Sequence, residues 1–278
     1  MQAAICRCLQ LVLLVTAAPA LAQHPETETV SLRLGIGYGQ HSSVLYEQED
    51  REFYLLPRLQ IYYKRAYLEN LDLGFNLFEH QNWALDLTGK QSFDALLTRG
   101  NSLKDSLFSG LIGLDKPIFM PGGPNALKDL ITPVKRHFSY LAGATLYYHH
   151  DQWLITQSWH QDISKVHHGS ELQTSLSYRY LKDGYGIALT GSVRRIDGDY
   201  SNYYFGPMAE DFRKPIYLYQ PGAQWLPSIK IALQIELTPK IDFVANWRRE
   251  FLPSAYQPSL YFAKLEQDLW FSGVVVQW

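Results

Sequence analysis

Beyond Cys8 the chain contains no cysteine; its two, Cys6 and Cys8, stand within the first eight residues. A small secreted domain often relies on disulfides for staples, and the body of this chain has none to form. Neither cysteine follows the apolar stretch after it, so neither stands where a lipoprotein carries its acceptor thiol. No segment beyond the leader approaches the run of about 18 apolar residues that a membrane helix needs. Charge of one sign is lacking too, with 25 basic against 27 acidic residues and a formal net charge of −2. That balance excludes the strongly basic footprint of a nucleic-acid binder or a polybasic membrane-surface anchor.

What is present begins with the leader. Arg7 supplies a short positive region, Leu9 to Ala18 an apolar one, and Ala20-Leu21-Ala22 a small-x-small cleavage pattern. The expectation is a secretory signal peptide over residues 1–22, removed after Ala22. The remaining residues, 23–278, carry 24 basic and 27 acidic groups and are expected to form one domain. Aromatics are plentiful, with 19 Tyr, 13 Phe and 7 Trp in the whole chain. An exported, cysteine-free, aromatic-rich chain without membrane helices has the profile of a transmembrane β-barrel.

The dominant pattern has period two. Val30, Leu32, Leu34, Ile36 and Tyr38 share one face, opposite Ser31, Arg33, Gly35 and Gly37. Leu71, Leu73, Phe75 and Leu77 alternate with Asp72, Gly74 and Asn76 in the same way. Ile229, Ile231, Leu233, Ile235 and Leu237 give the cleanest case, against Ser228, Lys230, Ala232, Gln234 and Glu236. Such segments read as strands with one apolar side. Their length, about 9–12 residues, suits a tilted strand crossing a bilayer better than the shorter strands of globular sheets. Aromatics gather toward strand ends, at Tyr62, Tyr63, Trp83, Tyr147, Tyr148, Trp153, Tyr178, Tyr180 and Trp247, where two interfacial girdles would lie. Trp278 ends the chain with Val276 and Val274 at alternate positions before it, as outer-membrane substrates do.

Eleven strands are countable: 30–39, 52–63, 66–78, 82–90, 137–148, 152–161, 169–180, 185–196, 225–238, 241–251 and 265–278. Bacterial barrels use an even number. One strand is therefore missing between residues 64 and 136, either within 106–120 or by division of 66–78. The expected fold is an all-β, antiparallel outer-membrane barrel of about 12 strands, with 10 as the alternative. The long apolar loop 91–136 reads either as a lid or plug, or as a missed strand plus a short helix.

The order of several short motifs resembles the MipA/OmpV family of MltA-interacting outer-membrane proteins over the whole mature chain. They are Leu34-Gly35-Ile36-Gly37-Tyr38-Gly39, Tyr54-Leu55-Leu56-Pro57, Asp162 with His167-His168-Gly169, and Asp199-Tyr200-Ser201-Asn202-Tyr203-Tyr204-Phe205-Gly206. Pro207 replaces an aliphatic residue usual in the family, and the 44–51 loop lacks a glycine often found there. The resemblance implies a non-enzymatic barrel without cofactor. It implies a scaffold that brings a periplasmic murein hydrolase and a murein synthase together, while other members are adhesins, osmotic-response proteins or antigens. Outer-membrane lipid and lipopolysaccharide are its expected surroundings.

Two groups of residues are candidates for chemistry. His168 and Ser170, at i and i+2, have the spacing of a base and nucleophile in outer-membrane lipid hydrolases, with Glu171 on the opposite side. With His160 and His167 nearby, a metal is a further alternative, and a loop with polar tips the plainest one. The second group is the lumen-facing set Arg33, Asp72, Glu171, Arg179, Arg194, Lys230, Glu236, Asp242 and Arg248. Both signs are interspersed, which predicts a cross-lumen network of ion pairs and a mostly occluded lumen. Scaffold, narrow solute pore and lipid hydrolase remain as the three functional readings.

Overall fold

The computed structural model describes residues 29–44, 50–97, 136–206, 219–257 and 262–277. Twelve strands close into an antiparallel barrel in which each pairs with its sequence neighbours and β1 closes on β12. They are β1 Thr29–His41, β2 Arg51–Tyr63, β3 Ala66–Glu69, β4 Asp72–His80, β5 Trp83–Gln91 and β6 Tyr140–His150, followed by β7 Trp153–Asp162, β8 Ser170–Lys182, β9 Tyr185–Ile196, β10 Gln224–Thr238, β11 Ile241–Phe251 and β12 Glu266–Gln277. The expected leader 1–22, most of loop 91–136 and Trp278 lie outside the described residues.

The strand that alternation did not count arises by division of 66–78. Asn70 adopts φ 57°, and the chain turns back on itself between Glu69 and Asp72, which pair directly. Asn70 is bound on both sides: its N–H donates to Leu59 O at 2.7 Å, and its Oδ1 accepts from Leu59 N–H at 3.1 Å. With this hairpin the parity resolves. Short turns at Lys64-Arg65, Gln81-Asn82, Asp151-Gln152, Asp183-Gly184 and Pro239-Lys240 lie at one end, and the long connections lie at the other. Short periplasmic turns and long extracellular loops are the rule for such barrels.

The outward face is predominantly apolar, with the Gln157–Thr174 pair, bonded at 2.6 Å, as a polar exception. Ile36, Leu87, Ile155, Leu176, Ile187 and Ile231 are each between 42% and 50% exposed, one per sampled strand. An apolar band continuous around a barrel is soluble only in lipid. Ring pairs sit at its periplasmic margin, with Trp83 against Tyr148 at 4.5 Å and Trp153 against Tyr178 at 4.9 Å. Toward the other end Tyr38 packs on Trp270 at 5.2 Å. Two tyrosines expected in the girdle are elsewhere: Tyr62 donates to Glu69 and Tyr147 is 4% exposed, so both serve the lumen. They fall on the inner parity of their strands, while Tyr63 and Tyr148 fall on the outer.

Two glycine positions are required by close approach. Gly37 and Gly273 face each other at the β1–β12 seam, where a Cβ would stand 2.2 Å from Ser272 O or 2.4 Å from Ile36 O. Gly74 lies under the ring of its partner Tyr67, which covers the bare backbone.

Candidate functional site

The interior is built in layers. At the extracellular end, connections from four parts of the chain meet across the mouth. After β9 comes a short helix, α1 (Gly198–Phe205), capped by Asp197, whose carboxylate accepts from Tyr200 N–H at 3.0 Å. Tyr200, Tyr204 and Phe205 of α1 pack with Val44, Ala95, Leu252, Tyr256 and Phe262 from the loops after β1, β5 and β11. Phe205 stacks on Tyr256 at 4.6 Å. This small apolar core forms a cap over the barrel, and Tyr200 reaches from it into the lumen. Burial holds the Tyr200 and Tyr204 hydroxyls neutral, with pKa values raised above the ordinary range.

Beneath the cap lies a charged cluster centred on Arg194. Its guanidinium contacts Asp94 at 2.7 Å, Glu250 at 2.9 Å and Glu171 at 3.3 Å. Lys90 pairs with Glu171, and Arg248 with Glu250 at 2.5 Å, so three cations face three carboxylates. The Tyr200 hydroxyl donates to Asp94 at 2.8 Å, which ties the cap to this layer. Of the expected lumen-facing set, Arg194, Glu171 and Arg248 lie in this cluster. Lys90, Asp94 and Glu250 were missed. Asp94 lies in a loop where alternation gives no guidance, whereas Glu250 sits at an inward position of a counted strand.

Arg33, Asp72, Lys230, Glu236 and Asp242 are not paired in that way. Arg33 stands directly opposite Arg58, Lys230 opposite Arg248 and Glu236 opposite Asp242. No ion pair within 4 Å joins Arg33, Asp72, Lys230, Glu236 or Asp242 to an opposite charge among the described residues. Arg179 lies on β8, directly opposite Ala188 of β9. Alternation gave the inward face correctly; it contains no information on which charges on that face meet.

Near the periplasmic end, polar side chains fill the lumen. Gln60, Gln234, Asp86, Arg33 and Asn76 are each no more than 4% exposed. Asp86 accepts from the Tyr67 hydroxyl at 2.7 Å and from Asn76 Nδ2 at 2.8 Å. Between this floor and the cap lies a chamber of about 630 Å³. Its walls carry Lys90, Asp72, Lys230 and Arg248, with hydroxyls from Ser175, Ser177, Thr190 and Ser192.

The hydrolase candidates are not brought together. The Ser170 hydroxyl donates to Asp197 at 2.7 Å, and the His168 ring is exposed on a residue with φ 60°. No hydrogen bond joins His168 to Ser170 among the described residues. His167 is the buried histidine: its Nδ1 accepts from Gly169 N–H at 2.9 Å and its Nε2 lies 3.0 Å from Ser139 Oγ. Burial lowers its pKa. Asp162 collects the backbone N–H groups of His167 and His168 at 2.8 and 2.9 Å, so the Asp162–Gly169 motif is a folded loop. No group of three or more His, Cys, Asp and Glu suited to a metal occurs among the described residues.

Comparison with known proteins gives a match over residues 34–278 to a family described as MltA-interacting protein MipA. No curated protein sequence matches. Among solved structures the chain is similar to the NanC porin, at 10% identity over 89% of this chain and 98% of that one, TM-score 0.42. It is similar also to a loop-deletion form of OmpT from Vibrio cholerae, at 8% identity over 91% and 100%, TM-score 0.35. A third, described as a bacterial polysaccharide outer-membrane secretin, is 10% identical over 90% and 97%, TM-score 0.37.

Proposed function

Because the chain belongs to the MipA family, and is an outer-membrane β-barrel, we propose that it is a non-enzymatic interaction protein that recruits murein enzymes to the inner side of the outer membrane. The family description is of an MltA-interacting protein, and the resemblance implies a lytic transglycosylase as the partner. The observation that carries the reading is the cap. An apolar core assembled from four connections, tied by Tyr200 and Arg194 to the layer below, lies across the extracellular end of the barrel. A barrel built to pass solutes needs that end open; a barrel that serves as an anchored platform does not.

In this reading the working surface is the periplasmic rim. Its turns are two residues long, and with the adjoining strand ends they expose Lys64, Arg65, Lys182 and Lys240 together with Glu79, Asp151 and Asp183. Outer-leaflet lipid and lipopolysaccharide meet the apolar band and the loops, as surroundings rather than ligands. The test is co-purification from outer membranes with the lytic transglycosylase, together with planar-bilayer recording. The proposal expects stoichiometric capture and no conductance steps.

A second reading, a narrow pore, is favoured by the chamber itself, since about 630 Å³ of space within a barrel is a segment of a channel. Stepwise conductance without enzyme capture would select it.

A further inference from the structure

The barrel wall is not of one height. β2 has 13 residues and β3 only four. β1 pairs with β2 from Arg51 to Tyr62, whereas β3 meets only its periplasmic end, from Gln60 to Tyr63. The chain then turns back at Asn70, which binds the backbone of Leu59, and β4 first meets β5 at Leu73 and Gly89. Above Leu59, no strand lies against that side of β2 among the described residues. Pro57, on the same edge as Leu59, has no N–H to offer a neighbour. Within sheets proline is confined to edges, strand starts and bulges.

The interruption lies at membrane depth. Leu55 and Pro57 stand between Tyr63, at the periplasmic margin of β2, and Tyr54, toward its extracellular end, and closer to the latter. The chamber opens there. On β6 to β12 the residues lining it all belong to the inward set of their strands. On β2, β4 and β5 it is lined also by Leu55, Leu73 and Gly89, which belong to the outward set. Leu55 is 39% exposed and Leu73 53%. A space that touches both faces of a sheet passes through it. A bare strand edge is tolerated at this depth only where it is buried in protein or lines a water-filled cavity, and this edge lines the chamber.

The two sides of the chamber differ. Beside the opening the inner wall is apolar: Phe53 stacks on Phe271 at 5.9 Å, with Leu56 packed against the same cluster. Across from it, β8 to β10 present hydroxyls, with Ser177 bonding Thr190 at 2.9 Å and Ser192 bonding Ser228 at 2.7 Å. Hydroxyls both donate and accept, and so suit a polar group of either character. The charges of the lining are near balance, six carboxylates with five cations, and those around Arg194 are paired with one another. A head group with a net charge would enter without a counter-charge, which is costly away from water. A net-neutral one would not.

We propose that the gap between β2 and β5 is a side entrance from the outer leaflet, and that the chamber takes the head of a single-chain amphiphile whose head group is net neutral. The head lies against the Ser/Thr wall. The chain runs past Phe53 and Leu56 and leaves between Leu55 and Leu73 into the lipid. The site is independent of the scaffold reading, since a barrel with a loaded chamber and one with an empty chamber present the same periplasmic rim.

The test is photolabelling of the full-length barrel refolded into phosphatidylcholine vesicles. The probe is lysophosphatidylcholine carrying a diazirine either beside the head or at the end of the chain, and labelled residues are located by mass spectrometry. The head probe is expected to label Ser175, Ser177 or Thr190 saturably, and the chain-end probe only outward-facing positions. Excess lysophosphatidylethanolamine suppresses the chamber labelling, whereas palmitate at the same concentration does not. Ser177→Phe fills the chamber and lowers the labelling at least about tenfold, with the heat-modifiable band retained. If that variant does not refold, Ser192→Leu answers the same question. Head-probe labelling confined to outward positions, labelling that does not saturate, equal suppression by palmitate, or unchanged labelling in the filled variant would each overturn the proposal.

Discussion

Replacing Arg194 by methionine removes the centre of the charged layer without opening a large void. Its side chain is 11% exposed, and the carboxylates it holds are 14% for Asp94, 2% for Glu171 and 6% for Glu250. Breaking a buried pair by deleting one partner typically costs about 3–5 kcal/mol, because the other charge is left behind. Three carboxylates would be left, but Lys90 still neutralises Glu171 and Arg248 still neutralises Glu250. Asp94 alone loses its only ion pair among the described residues, retaining hydrogen bonds such as that from Tyr200. The expected loss is therefore at the low end, about 3 kcal/mol, or roughly a 150-fold shift in the folding equilibrium. Urea titration of the refolded barrel, read by the fast-migrating band on an unboiled gel, measures it. Arg249→Met is the control: its pairs with Asp268 and Glu266 involve side chains 26% and 52% exposed, and surface pairs contribute about 0–1 kcal/mol. A loss at Arg194 no greater than at Arg249 would refute the idea that this layer locks the cap to the barrel.

Asp197→Ala removes the cap of α1 and the acceptor of both Ser170 groups. A loss of about 2–3 kcal/mol is expected, with greater cleavage by added protease on intact cells. Ser170→Ala should cost about 1 kcal/mol in the same urea titration and change no ester-hydrolysis rate. Acidification should loosen the cap through His167, whose pKa is lowered from 6.5 by burial, against the pull of Asp162, Asp197 and Asp94 and with His168 adding to the lowering. The unfolded chain then binds more protons than the folded one, so this contribution is complete above about pH 6.5 and lost as pH falls toward the folded value. Urea midpoints at pH 7.5 and 5.0 should converge in His167→Gln. Gly37→Val should prevent closure of the β1–β12 seam, where even a Cβ meets backbone at 2.2 Å. The readout is loss of the heat-modifiable band.

Most of the barrel was legible because its two solvents differ. Lipid outside and polar side chains inside impose strict alternation, which reached ten strands nearly whole. The hidden strand had a signal as well. Ala66 and Leu68 face outward on even positions, Leu73 and Phe75 on odd ones, and a two-residue turn at Asn70-Leu71 is what shifts parity. The charged layer was half legible. Arg194, Glu171 and Arg248 fall on the inner face by counting, but their counter-charge Asp94 comes from a loop, and pairing depends on a third dimension that counting lacks. The cap was least legible. Tyr200 and Tyr204 read as part of a family motif and Tyr256 was not singled out; only packing gives the three their role.

The central claim, a capped barrel whose periplasmic rim holds a murein enzyme, is tested most directly by site-specific photo-crosslinking in cells. Photoreactive residues are placed at Lys64, Lys182 and Lys240 on the periplasmic turns, and at Lys165 in an extracellular loop. The account predicts a crosslinked lytic transglycosylase from at least one turn position and none from Lys165. No such product from any turn, with the enzyme present in the same membranes, would contradict it.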